Sequence, residues 1–547
     1  MKKLTFINVL LFVFLLSPAI SRAQGTDEPN WGQPNIVWIV AEDLGPYLPS
    51  FGDSTIETPN LSRLAAEGVR YTHVFSPSGV CAPSRAALAT GMYQNSIGAH
   101  HMRNGGNPLY LPAEVTPYEA MPPAGVKMHS EYMRRLGYYA TNNSKEDYQF
   151  KKTVTGWDES SREAHWKNRP DADQPFFAIF NIGVTHESQI WSRADDSLWV
   201  DSKLEVPIPP YYPNTEVVRN DIRRMYSNIK MMDAQVGELL KELEDAGELE
   251  NTIIFWYTDH GGPLPRMKRL LYDSGMRVPM IIRFPNQWRA GEVDDQLVSF
   301  IDFKPTIMSL VGIEPPAYLK GQGQAFLGPY KANAPRSYVH GAGDRFDAQY
   351  DHIRAVRDQR FKYLRNYNPD QGYYLAVKYR EQMAIMQELL KMRDAGTLND
   401  VQMQWFRPAK PIEELFDTKE DPHEINNLAS DPAYVEKLAE LRAEHDRWIV
   451  EIDDKGLMTE SDYIDSIWEN RTQPVMSIPV ARKEGRTVEL SVATEGASIG
   501  YQVVRKGEEA GSVWQVYTGP VEVRRGRELL AISDRIGYKV SEVLRVQ

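Results

Sequence analysis

Four short apolar runs constrain the fold more than any other feature of this chain. They read NIVWIV (35–40), FFAIFNIGV (176–184), TIIFWYT (252–258) and VPMIIRF (278–284). The runs are nearly continuous rather than alternating, which is typical of strands covered on both faces in a mostly parallel sheet. Segments with helical spacing lie between them, at 58–68 and 218–246. We therefore predict an α/β fold, with a mixed, mostly parallel sheet sandwiched by helices.

The N-terminus has the pattern of a secretory signal peptide. Lys2 and Lys3 precede a short apolar run, and small residues follow around Ala23. The apolar run is too short to span a bilayer well, and no later segment reaches that length. We therefore predict an exported protein, periplasmic or extracellular, with no integral membrane segment after cleavage. The net charge of −12 argues against a nucleic-acid-binding surface.

The chain of 547 residues is long enough for several domains, and its pattern of apolar, polar and turn residues changes twice along the sequence. Paired short strands and turns follow about residue 350, which indicates an α+β unit. After about residue 475, apolar and polar residues alternate between Gly-rich turns, as in a small β-sandwich. We predict a signal peptide at 1–23, a main α/β domain at 30–345, a smaller α+β subdomain at 346–470 and a small β domain, resembling an Ig-like domain, at 475–547.

Cys81 is the only cysteine in the chain and lies in the stretch SPSGVCAPSRAALATGMY. A lone cysteine forms no disulfide within its chain, so it is an inert core thiol, an intermolecular link or a reactive group. Pro83 favours the first turn of a helix and Gly91 its end. The N-terminus of that helix attracts an anion, and Arg85 can reach the same place. The pattern thus outlines a nucleophile beside an anion site.

Two polar pairs follow two of the predicted strands, and they are called the acidic pairs because three of their four residues are carboxylates. Glu42 and Asp43 come directly after the first run, and Asp259 and His260 come after the third. Both pairs are expected at the carboxyl edge of the sheet, where open α/β folds bind ligands. Several carboxylates brought together require a cation, and the nitrogen of His260 leaves manganese, magnesium and zinc open beside calcium.

The stretch after Cys81 resembles the signature C-x-P-S-R-x-x-x-x-T-G of the formylglycine-dependent sulfatases, an alkaline phosphatase-like superfamily. The matching residues are Cys81, Pro83, Ser84, Arg85, Thr90 and Gly91. The resemblance covers about residues 33–455 and is nearest to bacterial polysaccharide and heparan N-sulfatase-like members. It implies that a maturation enzyme oxidises Cys81 to formylglycine. The hydrate of that aldehyde then attacks sulfur, and release of sulfate restores the aldehyde.

The same resemblance implies roles for further residues. It implies that a calcium ion is held by four positions, which are Glu42, Asp43, Asp259 and His260. It implies that catalysis also uses Arg85, Lys145, His186 and Lys268. Two positions depart from the family pattern, because Glu42 stands where Asp is commoner and Asp147 stands where a histidine is usual. Asp147, His100 or His101 is then expected to replace that histidine.

Side chains near these motifs are candidates for substrate binding. The segment after the signature helix contains His100, His101 and Arg103, which line either the substrate mouth or a polar turn. Trp191 either stacks on a sugar ring or belongs to the core. Together with Asp147, these residues make up the predicted substrate-binding set.

The predicted function is that of an exported sulfatase. It hydrolyses sulfate esters, or sulfamates, on a polysaccharide-derived sugar, through a formylglycine hydrate made from Cys81 and a divalent cation. The predicted partners are a sulfated carbohydrate and a formylglycine-generating enzyme. Two alternatives stay open: a phosphate or phosphonate monoester hydrolase of the same superfamily, and an inactive glycan-binding homologue.

Overall fold

The four apolar runs are strands of one mixed sheet in the computed structural model, which describes residues 29–105 and 111–547. The predicted signal peptide lies outside the described residues. The nine strands described for this sheet are β1 (Asn35–Ala41), β2 (Val69–Phe75), β3 (Tyr139–Asn143), β4 (Glu159–Ser160), β5 (Phe176–Ile182), β6 (Thr252–Thr258), β7 (Arg277–Arg283), β8 (Val293–Asp294) and β9 (Val298–Ser299).

The strands follow the order β4-β3-β5-β1-β6-β7-β2-β8, and β9 also pairs with β2. Pairing is parallel from β4 through to β6, as the apolar runs predict. The run at 278–284 is an exception, because β7 is antiparallel to both β6 and β2. Its continuous apolar sequence reflects burial on both faces, which does not depend on strand direction.

Helices cover both faces of this sheet, as predicted. The α-helices among the described residues are α1 (Pro59–Glu67), α2 (Cys81–Thr90), α3 (His129–Arg135), α4 (Ser188–Ser192), α5 (Glu216–Asp245), α6 (Asp273–Met276), α7 (Phe303–Leu310), α8 (Ala384–Asp394), α9 (Asp400–Met403), α10 (Val435–Glu451) and α11 (Glu460–Ile467). Successive side chains of β1 point to opposite layers. Ile39 packs in the layer of α5, and Trp38 packs in the layer of α7.

A second, antiparallel sheet follows the first in sequence. Its strands are β10 (Val339–Gly343), β11 (Ile353–Arg357), β12 (Phe361–Asn366) and β13 (Glu413–Asp417). Helix α10 packs on it through Leu438 and Leu441, which are buried against Val356 and Tyr363. The chain from Trp31 to Gln547 forms one compact unit, so the predicted domain boundaries stay predictions.

The last seventy residues form two small antiparallel sheets. The first contains β14 (Val480–Glu484), β15 (Thr487–Ser491) and β18 (Val521–Glu522), and the second contains β16 (Ser498–Arg505), β17 (Gln515–Val516), β19 (Arg527–Asp534) and β20 (Leu544–Val546). They share a core that includes Val488 and Leu529. The second sheet also contacts α3, because Ser498 Oγ donates to Glu131 and Arg134 donates to the carbonyl of Trp514. In residues 29–105 and 111–547, no helix is long and apolar enough to cross a membrane.

Asp534, at the end of β19, joins the same sheet to Val154 and makes the stability of the fold depend on pH. Its carboxylate accepts backbone N–H groups of Val154 (2.8 Å) and Arg535 (2.7 Å). Burial raises the pKa of Asp534 to about 7, against the lowering effect of those two hydrogen bonds. A folded-state pKa above the unfolded value stabilises the fold at low pH. That contribution is complete below about pH 4 and is lost as pH rises through about 7.

We predict that Asp534→Asn flattens this pH dependence. In urea unfolding between pH 5 and pH 8, the wild-type chain should lose about 2–3 kcal/mol of unfolding free energy that the variant does not lose. Asp195→Asn, at an exposed position, serves as the control and should follow the wild-type curve. Parallel curves for wild type and Asp534→Asn would contradict the prediction.

Candidate active site

The two acidic pairs meet at one edge of the large sheet, as predicted. Strands β1 and β6 are parallel neighbours, with Ala41 opposite Thr258 in the register. The residues that follow each strand therefore emerge side by side. The backbone N–H of Asp43 donates to Asp259 Oδ1 over 3.0 Å, which joins the two pairs directly.

Cys81 is the first residue of α2 and lies at the same edge. Its side chain is fully buried, with Sγ 3.4 Å from His260 Nε2 and 3.8 Å from Asp43 Oδ1. Ser84 holds the helix in place, because its hydroxyl donates to the backbone carbonyl of Asp259 over 2.6 Å. Gly91 ends the helix with a φ of 70°, a conformation that glycine adopts without strain.

The buried ligands fit a metal ion. Ligand atoms of Asp43, Cys81, Asp259 and His260 all lie within 4.8 Å of one another. His260 Nδ1 lies 3.1 Å from the carbonyl of Gly261, so Nδ1 carries a proton and donates it there. His260 Nε2 lies only 2.9 Å from Asp43 Oδ1, so in a neutral ring its lone pair would face that carboxylate oxygen. Two facing acceptors at this distance require a second ring proton or a cation between them.

Glu42 occupies a different place from the other three predicted metal ligands. It belongs to a second possible ligand group with Asp43 and His186. Its carboxylate also accepts a hydrogen bond from Lys145 Nζ over 2.7 Å. Since a side chain bound to lysine can still offer its other oxygen, the predicted role of Glu42 as a ligand stays a prediction.

The predicted cations surround this acidic cluster. Lys268 Nζ lies 2.5 Å from Asp43 Oδ2, and Arg85 Nε lies 3.1 Å from Asp259 Oδ2. Burial opposes ionisation of the Cys81 thiol, but Lys145 and Lys268 outweigh it and lower its pKa to about 6. Burial likewise opposes ionisation of Asp43, yet Lys268 and nearby histidines hold the pKa of Asp43 well below its usual value. The site therefore favours negative charge at Cys81.

His186 lies at the rim of the cluster, just after β5. Its Nε2 is 3.3 Å from Lys268 Nζ, and its Nδ1 is 2.8 Å from Ser188 Oγ. Burial and Lys268 oppose protonation of the ring, but Asp43 and Cys81 outweigh them and raise the pKa of His186. The ring is thus placed to hold a proton beside the nucleophile position.

Sequence reasoning missed a buried ion pair that supports Lys268. Both terminal nitrogens of Arg269 donate to the carboxylate of Glu187, over 2.9 and 2.8 Å. Lys268 Nζ lies 3.0 Å from Glu187 Oε1, and the Glu187 N–H donates to Asp43 over 2.7 Å. The adjacency of Glu187 to His186, and of Arg269 to Lys268, is the one sequence signal that could have suggested the pair.

Three of the predicted substrate-binding residues lie near the catalytic cluster. Asp147 is 3.9 Å from Lys145 Nζ and 3.7 Å from Arg103 Nη1. The ring of Trp191 lies 5.0 Å from that of Tyr379, which in turn is 6.3 Å from the ring of His186. Asp147 therefore lies between Lys145 and Arg103, and Trp191 lies on the side of His186, while their role in binding substrate stays a prediction.

His100 and His101 lie apart from these three. Their rings are 4.1 Å from each other, and they approach Tyr463 and Tyr350 respectively. His101 lines a cavity whose described lining includes neither Cys81 nor the acidic pairs. A role for the two histidines at the sulfate site stays a prediction, which their surroundings do not favour.

Family models match the chain over most of the described α/β region. The model named Sulfatase matches residues 34–313, just over half of the chain. The model named N-sulphoglucosamine sulphohydrolase, C-terminal, matches residues 266–404.

Individual proteins match as well. An ulvan-active sulfatase of Formosa agariphila is 50% identical, over 100% of this chain and 97% of its own. Human N-sulphoglucosamine sulphohydrolase is 25% identical, over 81% and 95%. The fold is also that of a solved structure in complex with its substrate D-glucosamine-2-N,6-O-disulfate, with a TM-score of 0.55, 18% identity and coverage of 77% and 98%. The fold is thus alkaline phosphatase-like, and the chain belongs to the sulfatase family of sulfuric ester hydrolases.

Proposed function

We propose that this enzyme removes sulfate from a sugar of a sulfated polysaccharide, of which ulvan is the first candidate. One observation carries the proposal: Cys81 lies within a cluster of buried acids that is itself ringed by Arg85, Lys145 and Lys268. Such a ring matches the charge distribution of a sulfate group beside a metal ion. The 50% identity to an ulvan-active sulfatase supports ulvan as the substrate.

Two groups complete the site in this proposal. A formylglycine-generating enzyme converts Cys81 to formylglycine, whose hydrate supplies the hydroxyl that attacks sulfur. Asp43, Asp259, His260 and Glu42 would hold a divalent cation, with calcium favoured by the three carboxylates, and this ion would offset negative charge on the sulfate.

The chain's own cations bind and orient the sulfate. Lys145 pairs with Glu42 and Lys268 pairs with Asp43, so two neighbouring acids hold the two lysines at the site. Arg85 is fixed by Asp259 and by Asn181 Oδ1, 2.6 Å from its Nη1, so its planar group does not reorient during the reaction. Arg85 and Lys268 are buried, which excludes water and strengthens their attraction for developing negative charge, whereas the Lys145 side chain is 22% exposed.

His186 supplies the proton for the leaving group. As the bond between sulfur and the sugar oxygen breaks, its electron pair goes to that oxygen. The oxygen then takes the proton of His186 Nε2, so a neutral sugar hydroxyl departs. We assign to Asp147 the position of the histidine that is usual shortly after Lys145 in the family, because its carboxylate lies 3.9 Å from Lys145 Nζ.

The organisation of the whole chain fits a substrate outside the cell. We propose that residues 1–23 direct export and are then removed. The enzyme would then act in the periplasm or outside the cell, where it encounters its polysaccharide substrate. The division into a catalytic domain, an α+β subdomain and a terminal β domain belongs to the same proposal.

The first test is sulfate release from ulvan, measured by ion chromatography. We expect the enzyme co-expressed with a maturation enzyme to release sulfate, and Cys81→Ala to lower the rate by at least about 10³-fold. Mass spectrometry of the peptide containing Cys81 should show the aldehyde. Faster turnover of an aryl phosphate than of an aryl sulfate would instead favour the phosphate monoester hydrolase alternative.

The second test concerns the cation and measures the Tm of the protein rather than its turnover. We expect EDTA to lower the Tm and calcium to restore it, because an ion at 100 times its Kd adds about 2.7 kcal/mol to the stability of the folded state. Asp259→Asn should abolish the response to calcium, whereas Asp171→Asn, at an exposed position, should keep it. An equal response in both variants would place the ion elsewhere.

The third test concerns the cation ring. We expect Lys145→Ala to lower kcat/KM by about 10²–10³, since it removes one preorganised charge from the sulfate site. Lys151, whose side chain is 87% exposed, provides a matched control, and Lys151→Ala should change kcat/KM by less than about twofold. Comparable losses in the two variants would refute the role of Lys145.

A further inference from the structure

A cavity of about 450 Å³ opens beside His101, within the size range of small-molecule sites. Its lining among the described residues is mostly polar. Four acids contribute to it, of which Asp344, Asp351 and Glu460 are buried and Glu114 is exposed, together with the ring of Tyr350. Nothing in the sulfatase reaction as described above uses these groups.

Two segments of chain separate this cavity from the catalytic cluster. In the first, His101 lines the cavity, while Arg103 lies 3.7 Å from Asp147 at the sulfate site. In the second, Asp344 lines the cavity, while Asp347 lies 4.0 Å from Arg269 in the pair that supports Lys268. Both segments therefore run from the cavity lining to residues around the catalytic cluster within two or three positions along the chain.

Each of the three buried acids is paired with a buried cation. Lys410 Nζ lies 2.6 and 2.7 Å from the two oxygens of Asp351. Two nitrogens of Arg345 donate to the carboxylate of Glu460, both over 2.9 Å. Arg354 donates to Asp344 over 3.0 Å. These three acids can still accept hydrogen bonds, but their charge is already balanced, so the buried part of the cavity does not select a cation.

His101 offers a fixed donor. Its Nδ1 accepts the backbone N–H of Arg345 over 3.2 Å, so in the neutral ring the proton is on Nε2. Burial, with help from Arg345, holds the pKa of His101 well below its usual value, which keeps the ring neutral. The buried Nε2 has no hydrogen-bond partner among the residues that the structure describes. Because this nitrogen is buried, a ligand hydroxyl would satisfy it only after the side chains that cover it move aside.

Tyr350 completes the set with an apolar face. Its ring is 39% exposed, lines the cavity and lies edge-on to His101 at 6.1 Å. Its hydroxyl donates to Glu460 Oε2 over 2.5 Å, which fixes the ring. An aromatic face beside paired carboxylates and one neutral N–H donor matches a sugar ring, whose C–H face is apolar and whose edge carries hydroxyls.

We propose that this cavity binds a neutral, hydroxyl-rich sugar unit of the substrate chain, close to the sulfated unit at Cys81. This inference rests on the proposed function, because it takes the substrate to be a polysaccharide. It adds a second binding position, which makes the enzyme prefer a chain of sugars to a single sulfated ring.

The test compares a long and a short substrate in the full-length, matured enzyme. Ulvan oligosaccharides are long enough to occupy the sulfate site and the cavity together, whereas 4-nitrophenyl sulfate is not. We expect Tyr350→Ala to lower the ratio of kcat/KM for the oligosaccharides to that for the aryl sulfate by about tenfold, mainly through KM. Tyr350→Phe keeps the ring and should keep most of the ratio.

Tyr330 provides the matched control, because its side chain is 43% exposed and the residue is not part of the cavity lining. Tyr330→Ala should leave the ratio at the wild-type value. The inference is overturned if Tyr350→Ala leaves the ratio unchanged, or if Tyr330→Ala lowers it equally.

A binding measurement separates this inference from the proposed function. If the wild-type enzyme releases no sulfate from ulvan, the proposed substrate is wrong, and the cavity is tested alone. Saturation-transfer NMR with glucose, galactose and xylose should then show binding to wild type that Tyr350→Ala removes. No signal with any of the three sugars, or an equal signal in the variant, would overturn the inference.

Discussion

The parallel pairing of β1 with β6 is the constraint on which the rest of the site depends. It sets Ala41 opposite Thr258, so the polar residues after each strand leave the sheet at the same level. The hydrogen bond from the Asp43 N–H to Asp259 then locks the two turns together. A slip of one residue would exchange the faces of every side chain that follows and separate the acids.

At this edge of the sheet, each buried carboxylate is paired with one cationic side chain. The acids are buried and would repel one another, so each one is matched by a cation from a different element. Arg85 comes from α2, Lys145 from the loop after β3, and Lys268 from the segment before α6. In the proposed reaction, the same cations that neutralise the acids would also attract the sulfate, so one arrangement would support both the fold and the chemistry.

Much of the fold and of the site could be predicted from sequence because the signals are local. Continuous apolar runs mark strands buried on both faces, and the acids and Cys81 stand directly at the ends of regular elements. The direction of β7 could not be predicted, since its sequence reports burial and not the path of the preceding loop. The partnership of Glu187 with Arg269 depends on tertiary contact between segments 82 residues apart. Whether His101 would face the catalytic cluster or the separate cavity also depends on that packing.

The complete burial of Cys81 has a consequence for how the chain is made. Its sulfur lies under α2 and against the acidic cluster, out of reach of another protein's active site. The oxidation proposed for Cys81 would therefore have to occur before the sheet edge closes. Because the chain contains no other cysteine, a thiol count after unfolding would give the fraction of molecules that folded without being modified.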